Sequence, residues 1–419
     1  MTINEKTWLF IREHADDDVR RLALQGVKDA EVDLPLALQQ IAGRQTARRK
    51  LPSWAEVEGI IYPPHLNMEQ CSSEQTACYK ASLVRRLLAS CNPSSTAFAD
   101  LTGGLGVDFY WMSQGFQQRT YIEQDADLCA IAEHNVKTLG IDASVVCGSA
   151  ADVLSTLPYT HVVFLDPARR NEHGARTYGI ADCSPNVLDL LPLLHEKSDY
   201  VILKLSPMLD WRKAVEDIRQ QTDPLRGSQA TVSEVHIVSV ANECKELLLV
   251  VDSQQHTDLL LACVNLGATI TEFSCRLTAS QSVTDDPSVG TRFPVSCPSP
   301  CFLYEPNASI MKAGCFAVLG QRFPVWQVAP NSHLFLSAVE VEGFPGRSFH
   351  IDAVSSMNKR DLSQLTTPLG RANISVRNFP LSADQLRKKL KLQDGGDAYI
   401  FATTVANGEH KLFICRKIR

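Results

Sequence analysis

Between residues 97 and 251 short apolar runs alternate with amphipathic segments at a steady spacing. Residues 97–100, 119–123, 144–147, 161–165 and 200–203 are runs of aliphatic, aromatic and β-branched side chains bounded by turn residues. That is the pattern of buried parallel strands. Between them Phe109, Met112 and Phe116, then Leu128, Ile131, Ala132, Val136 and Leu139, recur at helical spacing. The second series opens at Asp127 as its cap and stops at Gly140. Two further apolar runs, 234–240 and 246–251, are separated by five residues, too few for a crossover helix, so they pair antiparallel. Five parallel strands and a closing hairpin predict an α/β fold of the doubly wound, Rossmann-like type, a mostly parallel seven-stranded sheet.

The flanks follow other periods. Before residue 93, Leu22, Leu24 and Val27, then Leu34, Leu36, Leu38 and Ile41, recur at helical spacing, with Arg44, Arg48, Arg49 and Lys50 as a basic edge. Tyr62-Pro63-Pro64-His65 breaks the pattern. A new helix then starts near Ser72, which with Gln75 matches a capping box, or at Ser73 with Thr76, and runs through Tyr79, Leu83 and Leu87. Beyond 255, residues 259–263 suggest a helix and 268–273 a strand. Residues 280–300, rich in Ser, Pro, Thr and Asp, read as a loop or linker. Order restarts at 302–314, which with neighbouring strands makes a small ferredoxin-like α+β unit. Near the end, Asn373–Arg377 is a strand and Ser382 caps a helix with Leu386 and Leu390 inside and Arg387, Lys388, Lys389 and Lys391 outside. Gly395 and Gly396 then turn the chain into two more strands. The expected division is a helical region (1–92), the sheet domain (93–255), a ferredoxin-like unit (256–335) and a basic α+β domain (336–419).

At 419 residues the chain is too long for one ordinary domain. Its 44% hydrophobic and 21% charged content is that of a globular protein, with no apolar run long enough to span a membrane and no signal-peptide pattern at the N-terminus. The 13 cysteines are scattered without a C-x-x-C pair, and the nearest two, Cys297 and Cys301, have no further zinc ligands beside them. Reduced thiols, a cytoplasmic location and no metal site are the expectation. Charge is uneven. From Arg347 onward 13 Lys/Arg face 6 Asp/Glu, so this segment is +7 within a chain of −6. A Lys/Arg-rich face is often only a solvated one, but against an acidic remainder it suits a phosphate backbone. RNA contact is therefore expected at Arg377, Arg387, Lys388, Lys389 and Lys391.

The candidate chemistry gathers where the apolar runs end. Asp100-Leu-Thr-Gly-Gly-Leu-Gly106 turns from strand to helix through Gly103, Gly104 and Gly106, which lets the backbone approach a ligand closely. Such a turn serves a dinucleotide or an adenosyl cofactor. Counting on from Gly104 and Gly106, the third glycine of a dinucleotide fingerprint is replaced by Phe109. Asp100 would repel a pyrophosphate and suits the cationic amino and sulfonium groups of S-adenosylmethionine (SAM). Glu123 ends the second strand where a carboxylate takes ribose hydroxyls. Ser149, Ala150 and Asp152 follow the third strand, beside the expected adenine. Asp166-Pro167-Ala168-Arg169-Arg170 ends the fourth. The Asp166 carboxylate can accept an N–H of the group to be modified, Pro167 stiffens the turn, and Arg169 offers a guanidinium plane. Lys204 ends the fifth strand as either a substrate contact or a structural ion pair.

Asp100-Leu-Thr-Gly-Gly-Leu-Gly106, Glu123 and Asp166-Pro-Ala-Arg169 resemble class I SAM-dependent methyltransferases. With Lys204-Leu-Ser-Pro207 and Asn242-Glu-Cys-Lys-Glu246, the stretch from about residue 60 to the end resembles bacterial methyltransferases that carry a C-terminal THUMP-like domain. The resemblance implies SAM bound at Asp100, Thr102, Gly103, Gly104, Gly106 and Glu123, a target-base pocket around Asp166, and methyl transfer to a base nitrogen of structured RNA, tRNA or rRNA. Ala168 and Arg169 stand where many nucleic-acid amine methyltransferases have a second proline and an aromatic residue. Ser149 stands where an Asp often contacts adenine. A small-molecule or protein methyltransferase, and a non-catalytic SAM- or RNA-binding protein, are the alternative readings.

Overall fold

The computed structural model describes residues 3–89, 96–169, 179–221, 231–254, 256–278, 301–358, 361–362 and 369–418. The side chain of Arg169, and Arg170, Cys297 and the expected linker at 280–300, lie outside the described part. The chain divides into two compact units, residues 1–236 with 245–257, and residues 237–244 with 258–419.

The first unit opens with helices. α1 (Glu5–Glu13), α2 (Val19–Gln25) and α3 (Leu34–Lys50) are capped by Asn4, Asp18 and Asp33, each accepting a backbone N–H in the first turn. Ile11, Leu22, Ala37 and Ile41 form their shared core. The short helices α4 (Pro52–Ala55) and α5 (His65–Gln70) follow, then α6 (Glu74–Leu87). The cap of α6 is Ser73, which accepts from Thr76 N, and not Ser72. The Ser72 hydroxyl is spent on a buried carboxylate, Asp108.

Seven neighbouring strands of one sheet follow, β1 (Ala97–Asp100), β2 (Gln118–Glu123), β3 (Ser144–Cys147), β4 (Thr160–Leu165), β5 (Ser198–Leu205), β6 (Thr231–Val240) and β7 (Glu243–Asp252), in the order β3-β2-β1-β4-β5-β7-β6. The first five run parallel, and β7 pairs antiparallel with β5. Val162, Val163, Phe164, Ile202, Leu203 and Leu248 to Val250 are at most 1% exposed, which is why these runs do not alternate. Ala241 and Asn242, both with positive φ, make the two-residue turn between β6 and β7, as a hairpin requires.

Helices α7 (Val107–Met112), α8 (Ala126–Thr138), α9 (Ala150–Thr156), α10 (Val187–Lys197) and α11 (Trp211–Gln221) complete the unit. Two expectations are corrected here. α7 stops at Met112, so Phe116 is buried from the following turn. The cap of α8 is Asp125, whose carboxylate accepts from Asp127 N and Leu128 N, while Asp127 lies inside the first turn. Both acids suit a helix N-terminus, and side-chain type alone does not choose between them.

In the second unit β8 (Asp258–Leu266) pairs antiparallel with β9 (Thr271–Thr278). The helix expected over 259–263 is therefore a strand. A short apolar run carries no period that separates a buried strand from a buried helix. The other strands, β10 (Phe302–Pro306), β11 (Trp326–Gln327), β12 (Phe335–Ser337), β13 (Gly346–Ser356), β14 (Asn373–Arg377), β15 (Ala398–Thr404) and β16 (His410–Lys417), form one sheet in the order β11-β12-β10-β13-β16-β15-β14. Leu303, Phe349, Phe401 and Phe413 fill one core cluster, and Leu386 and Leu390 of α12 (Ala383–Leu390) pack with Ile400 and Ile414 in another.

Candidate active site

A cavity of about 830 Å³ opens in the first unit at the carboxyl ends of β1, β2, β4 and β5. This is where ligands bind in open α/β sheets, and the size suits a drug-sized molecule. Thr102, Gly104, Glu123, Ser149, Ala150, Asp166, Pro167 and Lys204 line it, so the four strand ends converge as the spacing predicts.

The turn after β1 is held from both sides. Gly104 and Gly106 have φ of +53° and +85°, a backbone conformation that favours glycine. Gly104 N donates to Glu123 Oε2 at 2.9 Å, and Asp125 N donates to Oε1 at 2.9 Å. Glu123 thus ties its own strand end to the glycine turn while its carboxylate keeps acceptor capacity for hydroxyls. Ser149 caps α9 by accepting from Asp152 N and donates its hydroxyl to Asp152 Oδ2 at 2.7 Å.

Asp100, Gly103, Gly106 and Asp152 are not in the cavity wall. Asp100 is 1% exposed beneath the turn, where its Oδ1 accepts from Thr102 N at 3.0 Å and its Oδ2 has no partner. Burial raises its carboxyl well above the usual range, and the nearby Asp108, Asp166 and Glu123 push the same way. A buried carboxylate with one idle oxygen is relieved by a cation, so these residues fit an ammonium or sulfonium ligand and disfavour a phosphate. Asp100 lies beneath the floor of the site and does not line the cavity.

Asp166 follows β4. Its N–H is fixed by Thr102 Oγ1 at 2.6 Å, and its side chain is 38% exposed. Lys204 Nζ donates to Asp166 Oδ2 and stands 3.6 Å from Asp108 Oδ2, with only 10% of its side chain exposed. Burial alone would lower the Lys204 ammonium, but Asp166, Asp108 and Glu246 outweigh it and hold the pKa above the usual lysine range. Ala168–Arg169 pairs with Cys183–Ser184 as a two-residue ribbon that brings Cys183, Ser184 and Pro185 to the cavity.

A second layer escaped the sequence. Lys80, fully buried, lies 3.1 Å from Asp108 Oδ1 and also pairs with Glu246. Ser72 Oγ lies 2.7 Å from Asp108 Oδ2 and 3.1 Å from Glu246 Oε1. Asn67 and Gln70 of α5, with Cys71, Ser206, Met208 and Lys245, also line the cavity. No local pattern flags Asn67, Gln70, Cys71 or Met208, whereas Ser206 stands in the Lys204–Pro207 motif and Lys245 and Glu246 in the Asn242–Glu246 motif. Among the described residues no group of three or more His, Cys, Asp or Glu is placed to hold a metal ion.

The residues expected to touch RNA lie in the second unit. Lys388, Lys389 and Lys391 are exposed. Arg387 is held by Asp384 at 2.9 Å and Asp394 at 2.6 Å, and Arg377 donates to Glu305 at 2.9 Å.

Residues 346–417 match the THUMP domain-like family, and residues 302–345 a ferredoxin-like domain family. The chain is similar over 100% of both lengths to a crystal structure from Porphyromonas gingivalis W83 described as a candidate methyltransferase, at 29% identity and a TM-score of 0.83. It is also 24% identical over 329 residues to proteins named as uncharacterized SAM-dependent methyltransferases in two strains of Mycobacterium tuberculosis, CDC 1551 and H37Rv. That match covers 76% of this chain and 81% of theirs. With the parallel sheet, the glycine turn and the cavity at its strand ends, these likenesses agree: the chain is similar over most of its length to SAM-dependent methyltransferases and carries a THUMP-like domain over residues 346–417.

Proposed function

We propose that this enzyme transfers a methyl group from SAM to a base nitrogen of structured RNA, tRNA or rRNA, with residues 336–419 gripping the substrate. The observation that carries the reading is the convergence, in one cavity, of the glycine turn, Glu123 and the Asp166–Lys204 pair. Thr102, Gly104, Glu123, Ser149 and Ala150 hold the cofactor, with Asp100 balancing its positive charge from below. The bound cofactor supplies an electrophilic methyl group. Asp166 accepts an N–H of the target, which fixes the nitrogen and offsets the charge that develops on it. Pro167 keeps that turn rigid.

RNA as substrate is supported by the THUMP-like match and by the exposed Lys388, Lys389 and Lys391. One observation favours an acceptor other than RNA: Arg377 and Arg387 are already satisfied by carboxylates. Mass spectrometry of nucleosides from cells with and without the gene separates the two. Loss of one methylated nucleoside, restored by the wild-type gene and not by Asp166→Ala, is the expected result. An unchanged nucleoside profile would move the acceptor to a protein or small molecule.

A further inference from the structure

The cavity carries a cation, Lys204, to which the methyl-acceptor reading gives no chemical role of its own. Lys204 is flanked by two carboxylates with different surroundings. Asp166 lines the cavity, whereas Asp108 lies behind Lys204, its side chain 9% exposed. Asp108 is itself anchored by Ser72 and by Lys80, and Lys80 by Glu246. When Asp166 turns to a substrate, Lys204 keeps Asp108 as its counter-ion and stays in place. The ammonium is therefore a fixed positive charge beside an anionic acceptor, both on the wall of one cavity.

Together they make a donor next to an acceptor, and the pair complements a ring N–H beside a carbonyl. We propose, resting on the reading of this enzyme as an RNA base methyltransferase, that its target is the lactam edge of guanine or uracil. Asp166 accepts the ring N–H and Lys204 donates to the neighbouring carbonyl oxygen. The electrostatics separates this from an amino base. Alkylating the neutral amine of adenine or cytosine builds positive charge on the base, which a neighbouring ammonium opposes. A lactam nitrogen must instead lose its proton, and the negative charge left on the carbonyl oxygen is what Lys204 stabilises. The N–H proton passes to Asp166. The nitrogen pair forms the new bond to the methyl carbon as the carbon–sulfur bond of the sulfonium donor breaks, leaving a neutral thioether. Asp166 then returns its proton to solvent. Burial raises the Asp166 carboxyl and Lys204 partly offsets the rise, which suits a proton acceptor better than an unperturbed carboxylate.

The test uses the full chain, SAM with an isotope-labelled methyl group, and RNA purified from a strain lacking the gene, followed by mass spectrometry of the digested nucleosides. Label in N1-methylguanosine or N3-methyluridine is expected. Label in a methylated adenosine or cytidine would overturn the lactam assignment and leave base methylation standing. No label in any nucleoside, from protein that binds S-adenosylhomocysteine, would overturn both. Lys204→Met should cut kcat about a hundredfold with S-adenosylhomocysteine affinity within about threefold, and Lys204→Arg should restore part of the rate. Equal activity of Lys204→Met and wild type would also overturn the assignment.

Discussion

Gly103 lies against the ring of Tyr121: a Cβ built on this glycine would come within 2.0 Å of Cε2. Tyr121 is fully buried on β2, and its hydroxyl donates to Gly104 O. The ring is thus locked from its far end and has no room to retreat. Gly103 is needed for packing beneath the turn. Gly103→Ala should cost about 1–3 kcal/mol by overpacking and displace the Gly104 amide from Glu123. Thermal unfolding and calorimetric titration with S-adenosylhomocysteine should both show the loss. A variant with unchanged melting temperature and affinity would mean that the turn relaxes freely.

Glu123 has two jobs that one substitution exposes together. It anchors the glycine turn through Gly104 N and presents its carboxylate to the cavity. Glu123→Ala should weaken S-adenosylhomocysteine binding by about 1–3 kcal/mol, through lost charge-assisted hydrogen bonds to the ribose. Glu123→Gln keeps one acceptor and should recover part of the loss. Equal affinities for all three proteins, measured by calorimetry, would remove Glu123 from the cofactor site.

Arg86 and His236 both hold the Glu234 carboxylate, Arg86 through both terminal guanidinium nitrogens and His236 through Nε2 at 2.8 Å. Burial alone would raise the Glu234 carboxyl, but His236 and Arg86 bring it down to about 2 from an ordinary 4.5. Between those values the unfolded chain binds more protons than the folded one, so stability rises with pH there. The contribution, roughly 3 kcal/mol, is complete above the ordinary value and is lost as the pH falls toward 2. Urea unfolding of the wild type should lose about 2 kcal/mol more than Glu234→Gln between about pH 5 and about pH 3. Parallel pH dependences would show that the pair contributes no linkage.

What the sequence disclosed depended on whether a feature is local. The parallel strands, the glycine turn and the acids at the ends of β1, β2 and β4 follow from runs and spacings within a few residues, so their convergence was readable. Asp125 and Asp127 are two acids two positions apart, and the choice of cap needed backbone geometry. Residues 259–263 have no usable period, and the strand there is set by its pairing with β9. Lys80 and Glu246 are 166 positions apart. Nothing near either one announces a partner, and a fully buried lysine is unexpected at a position that reads as an ordinary helix surface. That Asp100 lies under the turn, and not in the cavity, likewise depends on how the turn folds over it.

The basic helix near the C-terminus gives the last prediction. α12 buries Leu386 and Leu390 and leaves Lys388 and Lys389 exposed, with Lys391 at its C-cap. Arg387, on the same helix, is engaged by Asp384 and Asp394. The charges available to an anion are therefore the three lysines, and a double substitution removes most of them. If they contact phosphates, Lys388→Ala with Lys389→Ala should weaken RNA binding without altering S-adenosylhomocysteine affinity. It should also flatten the log–log salt dependence of binding by about 1.4–1.8, the sum for two phosphate contacts. The loss should be similar for unrelated RNA sequences, since phosphate contacts position a substrate and do not read it. Arg387→Ala should change the slope by much less, because its guanidinium is already neutralised. Filter binding at several salt concentrations measures all three proteins. If the double variant keeps the wild-type slope, the lysines are a solvated face and RNA must be held elsewhere on the chain.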